Sequence, residues 1–149
     1  MLTDVMINIL EKQRLGFVAT VGKDGTPSLS PKGTFVALSP KTIAFGDIRS
    51  PGTRRNIAIN PRVAINFVDP IARRGFRAKG DAEIIDLGTE AFDTLFPHFT
   101  RWGALSRRIK KIVQSHILEA TLMETPAYDD GATEAELRAI WSDILLRDP

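Results

Sequence analysis

Cysteine is absent from this chain of 149 residues, which removes disulfides, thiolate metal sites and thiol catalysis together. Histidine is almost absent too: His98 and His116 stand far apart, neither has an H-x-x-x-H or H-E-x-x-H companion, and both read as core or surface residues rather than metal ligands. No apolar run approaches the roughly 18 to 20 residues that span a bilayer, so no membrane segment is expected. No G-x-G-x-x-G leads a strand into a helix and no G-x-x-x-x-G-K-S/T is present, which excludes a Rossmann nucleotide site and a P-loop. Ser28-Leu29-Ser30-Pro31 and Ser39-Pro40 lack the glycine-flanked elbow of a hydrolase nucleophile. The N-terminal MLTDVMINILEKQ carries acids inside an amphipathic pattern, unlike a signal peptide, so the cytoplasm is the expected location.

The composition, 43% apolar and 26% charged, is that of a globular chain, and the length fits a single domain over residues 1–149. A net charge of +2 is too small to argue for nucleic acid, yet the charges are segregated. Arg49 to Lys79 holds eight Lys or Arg and one acid, Asp69, whereas Glu119 to Pro149 holds eight acids against Arg138 and Arg147. That distribution favours a local anion site or a charge-matched surface.

Leu2, Val5, Met6, Ile9 and Leu10 recur at helical spacing behind Thr3, predicting a short helix over about 3–13 that packs on a sheet. Leu15, Phe17, Ala19 and Val21 alternate, and Asp24-Gly25 marks a hairpin into residues 26–33. Phe35 to Leu38 and Thr42 to Asp47 form a second hairpin, so four antiparallel strands precede a helix at 51–60 that Pro61 stops. Strands follow at 62–68, 75–85 and 112–124, the last expected to put His116, Leu118, Ala120 and Leu122 on one face. Between them Thr89 caps a helix that turns Ala91, Phe92, Leu95 and Phe96 inward, and Trp102 to about Lys110 reads as a basic helical segment. Thr133 and Glu136 make a capping box for a C-terminal amphipathic helix with Leu137, Ile140, Trp141, Ile144 and Leu145. Antiparallel hairpins with helices inserted late predict a mainly β fold, a small barrel with peripheral helices.

The chemistry gathers between Ser28 and Asn56. Ser50 reads as an N-cap and Pro51 as a first helical residue, so Thr53, Arg54, Arg55 and Asn56 crowd a helix start, where free N–H groups and the dipole favour an anion. Lys32 adds a point charge from a neighbouring strand, and Arg73 and Arg74 lie beside Gly75. In Ile43-Ala44-Phe45-Gly46-Asp47, Gly46 leaves room for a flat ring to approach the strand. Phosphate is the expected anion. The acids Asp129, Asp130, Glu134 and Glu136 read as turn and helix-start residues rather than an acid–base pair, and Trp141 as core or interface, with Trp102 left open as a ligand contact.

The order LGFVATVGKDGTPSLSPKG, TIAFGDIRSPGTRRNIAINPRVAINFVDP, RRGFRAKGDAEI resembles the pyridoxamine 5'-phosphate oxidase-like FMN-binding split-barrel family over about residues 14–86. The closing AYDDGATEAELRAIW is similar to the tail of one branch of that family. The resemblance implies a six-stranded antiparallel split β-barrel of FMN-binding type, a homodimer with FMN at the subunit interface, and an FMN-dependent oxidoreductase acting on a small molecule. It implies that Ser28, Ser30, Pro31 and Lys32 run beside phosphate and ring, that Phe45 and Gly46 lie along the ring or ribityl chain with Asp47 next on the same strand, and that Arg74 and Gly75 reach the ring from the other subunit. Gly52 and Thr53 stand where the oxidases place two basic phosphate ligands, so Arg54, Arg55 and Asn56 are the residues available to supply the missing charge. The arginine-rich C-terminal signature of the vitamin-forming oxidases is replaced here by an acidic helix, so that reaction is not expected. A deazaflavin reductase on the same barrel and a cofactor-free binding or regulatory module are the alternatives.

Overall fold

The computed structural model describes residues 1–147. Helix α1 (Asp4–Gln13) leads into β1 (Gly16–Val21), β2 (Pro27–Lys32), β3 (Phe35–Ser39) and β4 (Thr42–Asp47). Helix α2 (Pro51–Ile59) then precedes β5 (Arg62–Asp69) and β6 (Arg74–Asp86). Helix α3 (Glu90–Leu95), a 3-10 stretch (Phe96–Arg108), β7 (Lys111–Glu124) and helix α4 (Glu134–Leu145) complete the described chain. All seven strands join one antiparallel sheet in the order β2-β1-β5-β6-β7-β4-β3. The edge strands β2 and β3 are separated in sequence only by Gly33 and Thr34, so the sheet must curl on itself, which is the split barrel. The count of seven exceeds the six implied by resemblance because a bend at Gly33-Thr34 divides one run into β2, paired with β1, and β3, paired with β4.

Alternation along the strands fills the barrel. Val18, Phe35, Ile43, Phe45, Ile65, Phe67 and Phe76 point inward, with Phe67 edge-on to Phe35 at 4.9 Å and stacked on Phe76 at 5.5 Å. Helix α1 closes one end with Met6, Ile9 and Leu10, its start capped by Thr3. A second core, Val36, Ala44, Phe92, Phe99, Ile109 and Ile112, lies under α3 and the 3-10 stretch. Thr89 does cap α3, but Ala91 is exposed. The expected basic helix is instead this 3-10 stretch, kinked at Gly103 where φ is +57°.

The face assigned to the last strand is corrected by the structure. A bulge shifts the β6–β7 register between Lys79 and Gly80, so Ile117 and Ala120 pack on the core while His116 and Leu118 are exposed. The Ser50 expectation is corrected as well: it occupies the cap position, but its side chain accepts no hydrogen bond from α2.

At α4 the capping box is complete, Thr133 Oγ1 accepting from the Glu136 N–H at 3.2 Å and Glu136 Oε2 accepting from the Thr133 N–H at 2.8 Å. Thr133→Ala is expected to cost about 1 kcal/mol, a fall of roughly 2–4 °C in Tm that a calorimetric melt would detect. No change would mean that α4 is held by its side-chain contacts alone.

Candidate functional site

Period-two geometry sorts β2 into two faces. Ser28, Ser30 and Lys32 stand opposite Thr20, Val18 and Gly16, while Leu29 and Pro31 face the other way beside Ala19 and Phe17. Pro31 is thereby separated from the serines and the lysine. On the inner face Lys32 is 9% exposed, its Nζ donates to Ser30 Oγ and it lies 5.9 Å from the centroid of the Phe45 ring. Burial pushes the Lys32 ammonium below its ordinary value, and the negative charge of Asp47 opposes that shift.

Asp47 ends β4 on the same face as Phe45 and is 3% exposed. The first turn of α2 comes down on it: Arg54 Nε sits 3.0 Å from Asp47 Oδ2, and Thr53 is buried beside it. The ion pair is close but not aligned. Arg54 Nε and Asp47 Oδ1 are both buried without a hydrogen-bond partner among the described residues. A buried donor or acceptor left unmade costs about 1–3 kcal/mol, so both atoms are available to a ligand, as are Asp81 Oδ1 and Ser115 Oγ elsewhere in the sheet. Asn56, one turn along α2, is committed to structure, its Nδ2 donating to Thr20 Oγ1 at 2.9 Å. Arg55 points to solvent. The cluster thus contains Lys32 and Arg54 against Asp47, one net positive charge at the end of the barrel.

The remaining candidates are placed elsewhere. Phe45 is 1% exposed inside the barrel core, edge-on to Phe35, with no face free for a ring. At Gly46 a Cβ would lie 2.4 Å from Ile109 Cδ1, so the glycine admits the isoleucine that packs beside it. Arg74 is held within its own chain, Nε to Glu124 Oε1 at 2.5 Å and Nη1 to Glu134 Oε2 at 3.1 Å, over the Tyr128 ring at 4.8 Å. Arg73 lies 3.9 Å from the Trp141 ring centroid. Both arginines therefore anchor the C-terminal segment. Trp102 stacks on Phe99 at 5.9 Å with Arg101 over it, a packing role. His98 and His116 are exposed, and among the described residues no group of three or more His, Cys, Asp or Glu could hold a metal.

Two further features have no local pattern that names them as sites. Asp69, 8% exposed in its side chain, accepts from the Ile71 and Ala72 N–H groups and from Arg138, and these partners hold its carboxyl below the usual range against the opposing effect of burial. No local spacing links residues 69 and 138. The second is the outer sheet face, where Ala19, Val21, Pro27, Ala64 and Leu118 line a concavity of about 370 Å³ flanked by Arg62, Lys79 and Glu119. Its trace in the sequence is that β1 is apolar on the half-exposed face as well as the buried one.

The model of the family described as pyridoxamine 5'-phosphate oxidase matches residues 2–126. No curated protein matches the chain. Among solved structures, HupZ of Group A Streptococcus is similar at 28% identity and TM-score 0.70, over 84% of this chain and 96% of that one. A structure named F420 reductase is similar at 25% identity and TM-score 0.61, over 80% and 98%. An FMN-binding protein from Syntrophomonas wolfei shares the fold at TM-score 0.62 and 14% identity, over 81% and 90%.

Proposed function

Since this chain belongs to the pyridoxamine 5'-phosphate oxidase family, we propose that it is an FMN-binding flavoprotein that carries out a two-electron redox reaction on a small molecule, as a homodimer in the cytoplasm. The observation that carries the reading is the cluster of buried Lys32 and Asp47 with half-buried Arg54 at the start of α2, with one donor and one acceptor unmade. Lys32 Nζ and Arg54 Nε–H are the two charged donors for phosphate oxygens, the Ser30 and Thr53 hydroxyls are neighbours, and the uncapped first turn of α2 offers its N–H groups. When bound, the flavin supplies the hydride chemistry; the chain supplies orientation and electrostatics. The outer sheet face supports the dimer, because an apolar patch around a concavity is what a second subunit or a planar ligand covers. Among the described residues no helix is long and apolar enough to cross a membrane.

Purified protein should bind FMN in a fluorescence titration and show the flavin absorption bands. A colourless protein that leaves FMN fluorescence unchanged overturns the reading. The 25% identical F420 reductase structure supports a second reading, a deazaflavin in the same cradle; mass and absorbance of cofactor extracted from the native host separate the two.

A further inference from the structure

We propose that Asp47 makes this cradle select the singly charged form of the flavin's terminal phosphate, whose P–OH donates a hydrogen bond to Asp47 Oδ1. The inference rests on the FMN reading. An acid fully inside a phosphate cradle calls for a reason, since a carboxylate repels a dianion, and more strongly in a buried site than in water. Charge and hydrogen bonding here point the same way. The charged side chains at the site that are at least partly buried are Lys32 from β2, Arg54 from α2 and Asp47 from β4, a net charge of one positive, while Arg49 and Arg55 at the start of α2 are exposed to solvent that screens them. Lys111, opposite Asp47 on β7, is occupied by Asp86, and Lys110 meets Asp47 only through its backbone N–H to the Asp47 carbonyl. A monoanion balances this set; a dianion leaves one negative charge in excess.

The unmade atoms discriminate in the same sense. Arg54 Nε–H and Lys32 Nζ can each donate to an unprotonated phosphate oxygen, but Asp47 Oδ1 is an acceptor and needs a donor from the ligand. A dianionic phosphomonoester has none, whereas its monoanion carries one P–OH. Arg54, a third of whose side chain is exposed, lies against Asp47 and is the group that must shift to admit the phosphate. The second ionisation of a phosphomonoester falls near pH 6, so the selected form becomes the minority as pH rises through neutrality.

The test is FMN affinity against pH, with phosphorus NMR of the bound flavin. FMN is expected to bind about tenfold or more weakly at about pH 8 than at about pH 6, with the bound phosphate keeping its monoanion chemical shift at neutral pH. Asp47→Asn, which can donate from its amide, should bind the dianion, flatten the profile and let the bound phosphate titrate; Asp47→Ser serves where the first variant fails to fold by circular dichroism. Riboflavin, which has no phosphate, should show no such slope. A flat wild-type profile, a dianion shift at neutral pH, or an equal slope in the Asp47 variants overturns the proposal while leaving FMN binding intact. Absence of FMN binding at every pH overturns both readings.

Discussion

Gly75→Ala is expected to destabilise the protein by about 3 kcal/mol and lower its Tm by roughly 6–12 °C, with or without flavin. A Cβ at this position would lie 2.3 Å from the Phe67 carbonyl oxygen and 3.1 Å from Val68 Cα, both backbone atoms of β5. No rotamer relieves such a contact, so the strand itself must move. β5 and β6 are paired from Arg62–Asp81 to Asp69–Arg74, and Phe67 and Phe76 from that ladder stack in the middle of the barrel. Displacing the backbone at Gly75 therefore disturbs both the ladder and the aromatic core. Gly52→Ala is the control, because nothing lies within 4 Å of its Cβ and alanine is the better helix residue by up to about 1 kcal/mol. A thermal melt of the apoprotein in which Gly75→Ala matches wild type would return Gly75 to the role the family resemblance implies, a contact to the flavin ring.

The fate of Gly75 shows where local pattern stops informing. Period two along β1 and β2 was enough to put Ser28, Ser30 and Lys32 on a common face, and the Thr3 and Thr133 caps located α1 and α4 within a residue or two. Those are signals carried by neighbours in the chain. The reason for a glycine is carried by a partner far away: Ile109 for Gly46, the β5 backbone for Gly75. The same holds for charge. Arg74 and Arg54 read alike in sequence, yet Arg74 finds Glu124 and Glu134 across 50 and 60 residues and is neutralised, whereas Arg54 meets Asp47 with its Nε–H unmade. The β6–β7 bulge, with Leu118 as its extra residue, parts Ala120 from His116 and Leu118, because one extra residue reverses every side chain beyond it. In sequence Asp47 is only the end of a strand; the docking of α2 on β4 is what makes it the acid between two cations.

Lys32→Met is expected to separate binding from stability. Loss of a charge-assisted hydrogen bond to phosphate removes about 1.5–3 kcal/mol, so the FMN Kd should rise roughly 10- to 150-fold. The fold should be unharmed or strengthened, since burial disfavours the Lys32 charge and methionine retains the volume and the contact with Phe45. The sign with pH follows from the direction of the shift. With the folded value below the ordinary 10.5, the unfolded chain holds more protons between the two, so wild-type stability rises with pH across that window as the buried ammonium is discharged. Lys32→Met should lack that rise. FMN affinity moves the opposite way, falling in wild type as Lys32 loses its proton, because the cradle then retains Arg54 against Asp47 with no net charge. Riboflavin supplies the decisive comparison. If Lys32 holds phosphate, riboflavin binding stays within about twofold in the variant while FMN binding collapses; if both weaken alike, Lys32 supports the barrel end rather than the phosphate, and Arg54 with the first turn of α2 must hold the anion without it.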